Sequence, residues 1–191
     1  MTISNILASR YSSEEMVKIW NAENKIILER KLWIAVLQAQ KDLGQQVPDG
    51  VIEDYKKVLD HVDLDSIHDR ERIVKHDVKA RIEEFCSLAG HEHIHKGMTS
   101  RDLTENVEQL QIRQALELIC CQAAAALRLL SENATTYSET AVTGRTHNVA
   151  AQVTTLGKRF ASAAEEMLHA FTNIEQIVAN YPLRGIKGPA G

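Results

Sequence analysis

The chain has 191 residues, 22 Lys plus Arg against 26 Asp plus Glu, a formal net charge of −4 at pH 7 and 44% apolar residues. This length bounds it to one or two domains, the apolar share supports a packed core, and the acidic balance excludes a general nucleic-acid binder, which carries a basic stripe. Three cysteines, Cys86 and the adjacent Cys120 and Cys121, form no disulfide framework and suit a reducing compartment, so a cytoplasmic location is expected. Three prolines and nine glycines are few for this length, and the abundance of Leu, Ala, Glu and Gln favours an all-α chain. The start, MTISNILASRY, has no apolar region of signal-peptide length. The most apolar run, 115–130, is interrupted by Glu117, Gln122 and Arg128 and does not read as a membrane span.

Residues 1–12 read as irregular and end in Ser9-Arg10-Tyr11-Ser12, in which Arg10 and Tyr11 set a planar cation beside a phenol, a pair suited to a phosphate but also common on surfaces. Ser12 or Ser13 caps a short helix, SSEEMVKIW. Asn21 caps the next, which runs to about Leu43 and stops at Gly44. Trp20 and Trp33 are expected as core anchors. Pro48 has the place of a first-turn proline, and 49–60 reads as a short polar helix. Asp65 is expected to cap one helical segment ending at Gly90, with Ile73, Val78, Ile82, Phe85 and Leu88 as its apolar stripe. Inside it lies Lys75-His76-Asp77, where Asp77 can orient the imidazole or raise its pKa, and where a solvated histidine on a charged face is the plainer reading. His91, His93 and His95 alternate and in a strand would share one face for a transition metal. They have no obvious acidic or cysteine partners, and His95 alone, beside the following turn, is the better candidate.

The stretch 97–130 organises the chain. Gly97 opens a turn, Thr99 and Asp102 stand at capping-box spacing, and a helix of about 100–137 follows; Thr99 or Ser100 is the N-cap. Its free N–H groups and positive dipole end, beside two hydroxyls, can receive a carboxylate or a phosphate. The pattern returns in Thr143-Gly144-Arg145-Thr146-His147-Asn148, with Asn148 as the expected N-cap of a helix over 149–181, Gln152 one turn in, and His147 disfavoured as a cation by the dipole. Pro182 ends that helix, and PLRGIKGPAG reads as loop with no closing element. Helices of about 35 residues, roughly 50 Å long, cannot bury their faces against each other alone. The chain reads as a piece of a larger bundle.

Arg10-Tyr11, Lys75-His76-Asp77, HKGMTSRDLTEN at 95–106 and GRTHNVAAQVTTLG at 144–157 resemble the adenylosuccinate lyases of the fumarase/aspartase superfamily. The likeness covers the whole chain, which corresponds to the N-terminal two-fifths of such an enzyme. The two hydroxyl turns are superfamily features; the Arg-Tyr and His-Asp pairs point to the adenylosuccinate branch. Met98 and Lys96 depart from what relatives often carry. The resemblance implies an all-α fold: a small N-terminal helical domain over 1–98, then the first long helices of an incomplete central bundle over 99–191. It implies a homotetramer whose active sites take residues from three subunits, a nucleotide substrate, and β-elimination of fumarate from adenylosuccinate and from the succinyl-carboxamide ribotide of purine synthesis. No metal or organic cofactor, nucleic acid or membrane is implied. By resemblance, Arg10 and Tyr11 hold the phosphate end; Lys75, His76 and Asp77 line the nucleotide side, His76 also as a catalytic candidate; Thr99 and Ser100 bind a succinyl carboxylate. Thr146 contacts substrate and His147 is the general acid. The family's base, a serine on a glycine- and serine-rich loop, falls beyond Gly191, so the chain alone is expected to be inactive. The rival readings are another superfamily lyase or cycloisomerase, a non-catalytic helical assembly module, and a metal-binding helical protein.

Overall fold

A computed structural model describes residues 5–190; residues 1–4, the start of the segment expected to be irregular, and Gly191 lie outside them. Among the described residues there are eight helices and one two-stranded sheet: α1 (Ile6–Tyr11), α2 (Glu14–Trp20), α3 (Ala22–Asp42), α4 (Val51–Lys57), α5 (Leu64–Val74), α6 (Asp77–Ala89), α7 (Ser100–Thr136), β1 (Ala141–Thr146), β2 (Val149–Thr155) and α8 (Leu156–Ala179). The mostly helical class follows the composition. The chain divides into two compact units inside α7: one runs to Ile112 and regains the chain from Pro182, and the other is Arg113–Tyr181.

In the first unit short polar residues start most of the helices. The Asn5 side chain accepts from the N–H groups of Leu7 and Ala8, so part of the stretch expected to be irregular is a helix, α1. Ser13 caps α2 and Asn21 caps α3, the latter through a 2.7 Å bond from Asn24 N–H. Trp33, Ile34 and Leu37 of α3 meet Val51, Ile52 and Tyr55 of α4, Val78 and Phe85 of α6, and Ile94, Met98 and Leu103. Trp20, expected in the core, is 42% exposed on a helix with no buried residue. The helix after Pro48 begins later than expected, at Val51, behind a left-handed Gly50, and ends at Lys57.

The segment expected to be one helix from Asp65 to Gly90 is two. Asp63, not Asp65, caps the first, accepting from Ser66 N–H at 2.9 Å. Lys75 turns left-handed (φ 56°) and ends α5, and His76 in an extended conformation starts α6. The break lets α5 and α6 pack against each other while serving different clusters: Ile67 of α5 joins Ile26 of α3 and Ala80 of α6, whereas Val78 and Phe85 of α6 enter the main core. Ile73, assigned to the apolar stripe, is left 81% exposed beside the break.

A buried ion pair ties these helices together. Arg30 of α3 donates to Glu84 Oε2 of α6 at 2.6 Å and to the carbonyls of Val58 and Leu59 after α4, and it lies over the Phe85 ring. Glu84 Oε1 accepts from the N–H of Asp63, the residue that caps α5. Both side chains are closed to water, with 1% and 2% exposure.

In the second unit, β1 and β2 form an antiparallel hairpin running from Ala141↔Thr155 to Thr146↔Val149, with an irregularity at Gly144/Arg145. This corrects the helix expected over 149–181: its first seven residues are strand, Gln152 pairs with Gly144 across the ladder, and Thr155, not Asn148, caps α8 by accepting from Lys158 N–H. Val149, Val153, Thr154 and Thr155 are β-branched, as are Val142, Thr143 and Thr146 opposite, and this outweighs the helical spacing of the alanines. Gly157 lets α8 approach the end of α7: a Cβ there would stand 2.4 Å from the Ala134 carbonyl oxygen. Tyr137 and Phe160 stack nearby. Among the described residues, one helix, α7, is long and apolar enough by length and composition to cross a membrane. The Arg113–Glu117 and Arg128–Glu132 ion pairs lie on it.

Removing one member of a buried ion pair strands the other charge. Glu84→Ala is expected to destabilise the chain by about 3–5 kcal/mol, read by chemical denaturation. A loss below about 1 kcal/mol would mean that Arg30 is held by the two carbonyls alone.

Candidate functional site

Of the sequence-predicted site residues, His76 and Ser100 come together in the first unit. The His76 side chain is the N-cap of α6: its Nδ1 accepts from Lys79 N–H at 3.2 Å, and its Nε2 stands 3.5 Å from Ser100 Oγ. A backbone N–H only donates, so Nδ1 is the acceptor and a neutral ring carries its proton on Nε2, facing Ser100. The imidazole is thus oriented by the backbone of α6. Asp77 does not orient it: its Oδ1 is 3.6 Å from Nδ1, beyond hydrogen-bond length, and its Oδ2 pairs with Arg81. Arg81 also pairs with Glu29, a fully buried carboxylate whose Oε2 has no hydrogen-bond partner. Burial pushes the Glu29 carboxyl above its ordinary value, against the opposing pull of Arg81.

Lys75 is exposed at the left-handed C-cap of α5. A non-glycine residue at positive φ carries local strain and is found more often than chance at functional positions. Arg10 and Tyr11 lie exposed at the end of α1. The three alternating histidines take separate partners. His91 Nε2 is 2.9 Å from Asp54 Oδ2, His93 Nδ1 is 3.4 Å from Lys96 Nζ, and His95 Nδ1 accepts from Trp33 Nε1–H at 2.9 Å. Among the described residues no group of three or more His, Cys, Asp or Glu is arranged to hold a metal ion. Burial lowers the His95 imidazole below its ordinary value. His95 thereby braces the core tryptophan next to the hydroxyl turn.

That turn is built around Asp102. Helix α7 begins at Ser100, which leaves Thr99 at the cap position. Thr99 N–H donates to Asp102 Oδ2 at 3.0 Å, the return arm of a capping box. The Asp102 carboxylate, fully buried, also accepts from Arg184 Nη1 and Lys187 N–H on Oδ1 and from Gly188 N–H on Oδ2, all at 2.9–3.0 Å. Burial opposes its ionisation, but the three N–H donors and the guanidinium outweigh burial and hold its carboxyl below the ordinary value. The segment from Pro182, read from sequence as a loop with no closing element, is therefore stitched to α7. Arg184 N–H also donates to Gln109, and Asn106 exchanges two bonds with the backbone of Gly185. The signal for this was present in the spacing of Asp102, Asn106 and Gln109, which puts them on one face of α7.

In the second unit His147 and Asn148 form the two-residue turn of the hairpin, both at positive φ (46° and 63°), as a type I′ turn requires. His147 is exposed, and the Arg145 guanidinium donates to the Asn148 carbonyl at 3.0 Å. No helix starts beside His147, so the expected dipole effect on it does not operate here. A cavity of about 390 Å³ lies along the hairpin, lined by Arg145, Thr146, Gln152, Lys158 and Arg159 among others, and its charged lining is cationic. The larger cavity of the first unit, about 920 Å³ between Arg70, Lys79, Glu83 and His91, contains none of the residues expected to meet a substrate.

The cap geometry predicts a fixed tautomer. Nitrogen chemical shifts of neutral His76 should show the proton on Nε2. His76→Asn, which keeps an acceptor for Lys79 N–H, should retain stability, while His76→Ala should lose about 1 kcal/mol. A proton on Nδ1 would overturn the capping assignment.

A model of the Lyase family matches residues 6–191. The chain is 36% identical to the adenylosuccinate lyase of Saccharomyces cerevisiae over 97% of its own length and 39% of that enzyme. It is 32% identical to the adenylosuccinate lyase of Schistosoma mansoni over 98% of its length and 40% of that enzyme. It superposes on the 3-carboxy-cis,cis-muconate lactonizing enzyme from Pseudomonas putida with a TM-score of 0.84 at 18% identity, over 97% of this chain and 44% of that one, which shows a shared fold. The chain thus spans about two-fifths of the length of the curated relatives it matches. With a match across nearly its whole length, the chain belongs to the Lyase family.

Proposed function

We propose that this chain is the N-terminal part of an adenylosuccinate lyase, which eliminates fumarate from adenylosuccinate to leave AMP and acts likewise on the succinyl-carboxamide ribotide. Within the chain, the observation that carries this reading is the meeting of His76 Nε2 with Ser100 Oγ at the start of α7. A hydroxyl, an imidazole N–H and the first N–H groups of a long helix converge there, a donor set suited to a carboxylate. The relatives named above supply the choice of substrate. Residues 1–98 then form an N-terminal helical domain and 99–191 the beginning of the central bundle.

In this mechanism Thr99 and Ser100 hold a succinyl carboxylate and Thr146 contacts substrate. Arg10 and Tyr11 take the phosphate; Lys75, His76 and Asp77 line the nucleotide. With its proton on Nε2, neutral His76 acts as a donor to bound substrate rather than as a base through that nitrogen. A base outside this chain removes the Cβ proton, and charge grows on the neighbouring carboxylate. His147 then protonates the departing nitrogen, so that the C–N bond breaks without expelling an anion. Its place on an exposed hairpin tip leaves it accessible to a substrate. The complete enzyme is read as a cytoplasmic homotetramer with sites shared between subunits and no cofactor. The three free thiols fit a reducing compartment. The apolar surface left exposed in the second unit, such as Leu129 and Leu168, fits burial against further helices.

In the full-length enzyme, His147→Ala should lower kcat by roughly 10²–10⁴-fold with much less effect on substrate binding. Near-normal kcat at neutral pH would remove His147 from the acid role. Ser100→Ala should weaken binding of adenylosuccinate by about 1–3 kcal/mol and leave AMP binding nearly intact. Equal weakening of both ligands would reduce Ser100 to a helix-start residue. Assay of fumarate release from adenylosuccinate, argininosuccinate and aspartate separates this reading from other lyases of the superfamily.

A further inference from the structure

Among the buried ionisable groups to which the mechanism gives no part, Asp102 lies next to the candidate anion site. Asp102 has no exposed surface, yet it is one turn from Thr99 and Ser100 and collects four hydrogen bonds, one from Thr99 N–H and three from a distant stretch of chain. Three of its donors, Arg184, Lys187 and Gly188, belong to one short segment. That segment also reaches Glu105 through Arg184 Nε, and it bonds to Asn106 and Gln109. Positions 102, 105, 106 and 109 form one face over the first turns of α7. Gly188 lies at φ 69°, and a Cβ there would approach the Gly97 carbonyl oxygen to 3.3 Å, so the segment closes against the glycine that opens the hydroxyl turn.

We infer that Asp102 is a positioning residue for the Thr99–Ser100 turn, and that 184–188 is the strap through which it fixes that turn. The inference rests on the reading of Thr99 and Ser100 as carboxylate-binding groups. A turn that binds an anion through N–H and O–H donors works best when those donors are held in place before the ligand arrives. The Asp102 carboxylate does this without competing for ligand, because it spends its lone pairs on Thr99 N–H, the strap N–H groups and Arg184. It also places a negative charge near the anion site, and the Arg184 guanidinium, salt-bridged to both Asp102 and Glu105, offsets it. An asparagine at 102 would turn an NH₂ toward N–H donors and leave Arg184 with Glu105 alone.

The test uses the full-length enzyme and two readouts. Amide exchange should show slow exchange at Thr99, Lys187 and Gly188, and Asp102→Asn should speed all three by tenfold or more. Asn106→Ala should speed the strap amides but leave Thr99 protected. In parallel, Asp102→Asn should raise Kd for fumarate at least tenfold and Kd for AMP less than twofold, whereas a general loss of folding would move both. Should Asp102→Asn fail to fold, Arg184→Met, which keeps all three backbone donors, should give the same direction of split with a smaller amplitude. Unchanged exchange at Thr99 in Asp102→Asn would overturn the strap. Altered exchange with an equal change for fumarate and AMP would overturn the positioning role. If wild-type enzyme binds neither ligand, the functional reading fails while the exchange data still decide whether the strap exists.

Discussion

A guanidinium and a carboxylate shut away from water hold the first unit together. Arg30 and Glu84 bring α3 and α6 into contact, and their remaining hydrogen bonds reach the end of α4 and the start of α5. A buried pair of this kind is a weak source of net stability against a well-packed apolar alternative, because both charges lose their hydration. Its geometry is nevertheless demanding: a bonded guanidinium over Phe85 accepts few arrangements of the surrounding helices. The pair therefore acts on register and orientation, fixing α6 against α3 and against the start of α5.

The break between α5 and α6 shapes the candidate site of this unit. Had 64–89 continued as one helix, the imidazole at 76 would project from a helical surface with both nitrogens free. Because Lys75 turns left-handed, His76 becomes a cap, one nitrogen is committed to α6, and the other faces Ser100. One side chain thus completes a helix and presents a donor of defined identity. Asp102 shows the same economy at the start of α7, where a capping-box acid also gathers the returning chain. In both places the free N–H groups of a helix start are answered by a titratable side chain, which joins local secondary structure to the candidate site.

The second unit follows different physics. Its hairpin is largely exposed, and β-branched residues and a two-residue turn at positive φ define it more than burial does. His147 is therefore displayed by backbone geometry. Histidine and asparagine tolerate the left-handed region better than β-branched residues, so the turn accepts an imidazole at its tip.

Much of this was legible in the sequence. Composition and periodicity specified a mostly helical chain, Asn21 and Gly90 marked their helix ends, and the Thr99–Asp102 spacing announced the start of α7, because these are local interactions between residues a few positions apart. The motifs at 75–77, 97–102 and 144–148 also stood out, since clustered hydroxyls, imidazoles and glycines are visible without a fold. The sequence misplaced the break at Lys75, the hairpin at 141–155 and the strap at 184–188. The helical pattern of 66–90 is nearly continuous, and only the packing of Ile67 and Val78 against separate partners favours breaking it. The alanines of 150–164 satisfy a helical period as well as a strand, and the facing strand decides between them. The strap depends on Asp102 meeting donors 82 to 86 residues away. Local propensity carries no information about such pairs, so tertiary structure alone settled them.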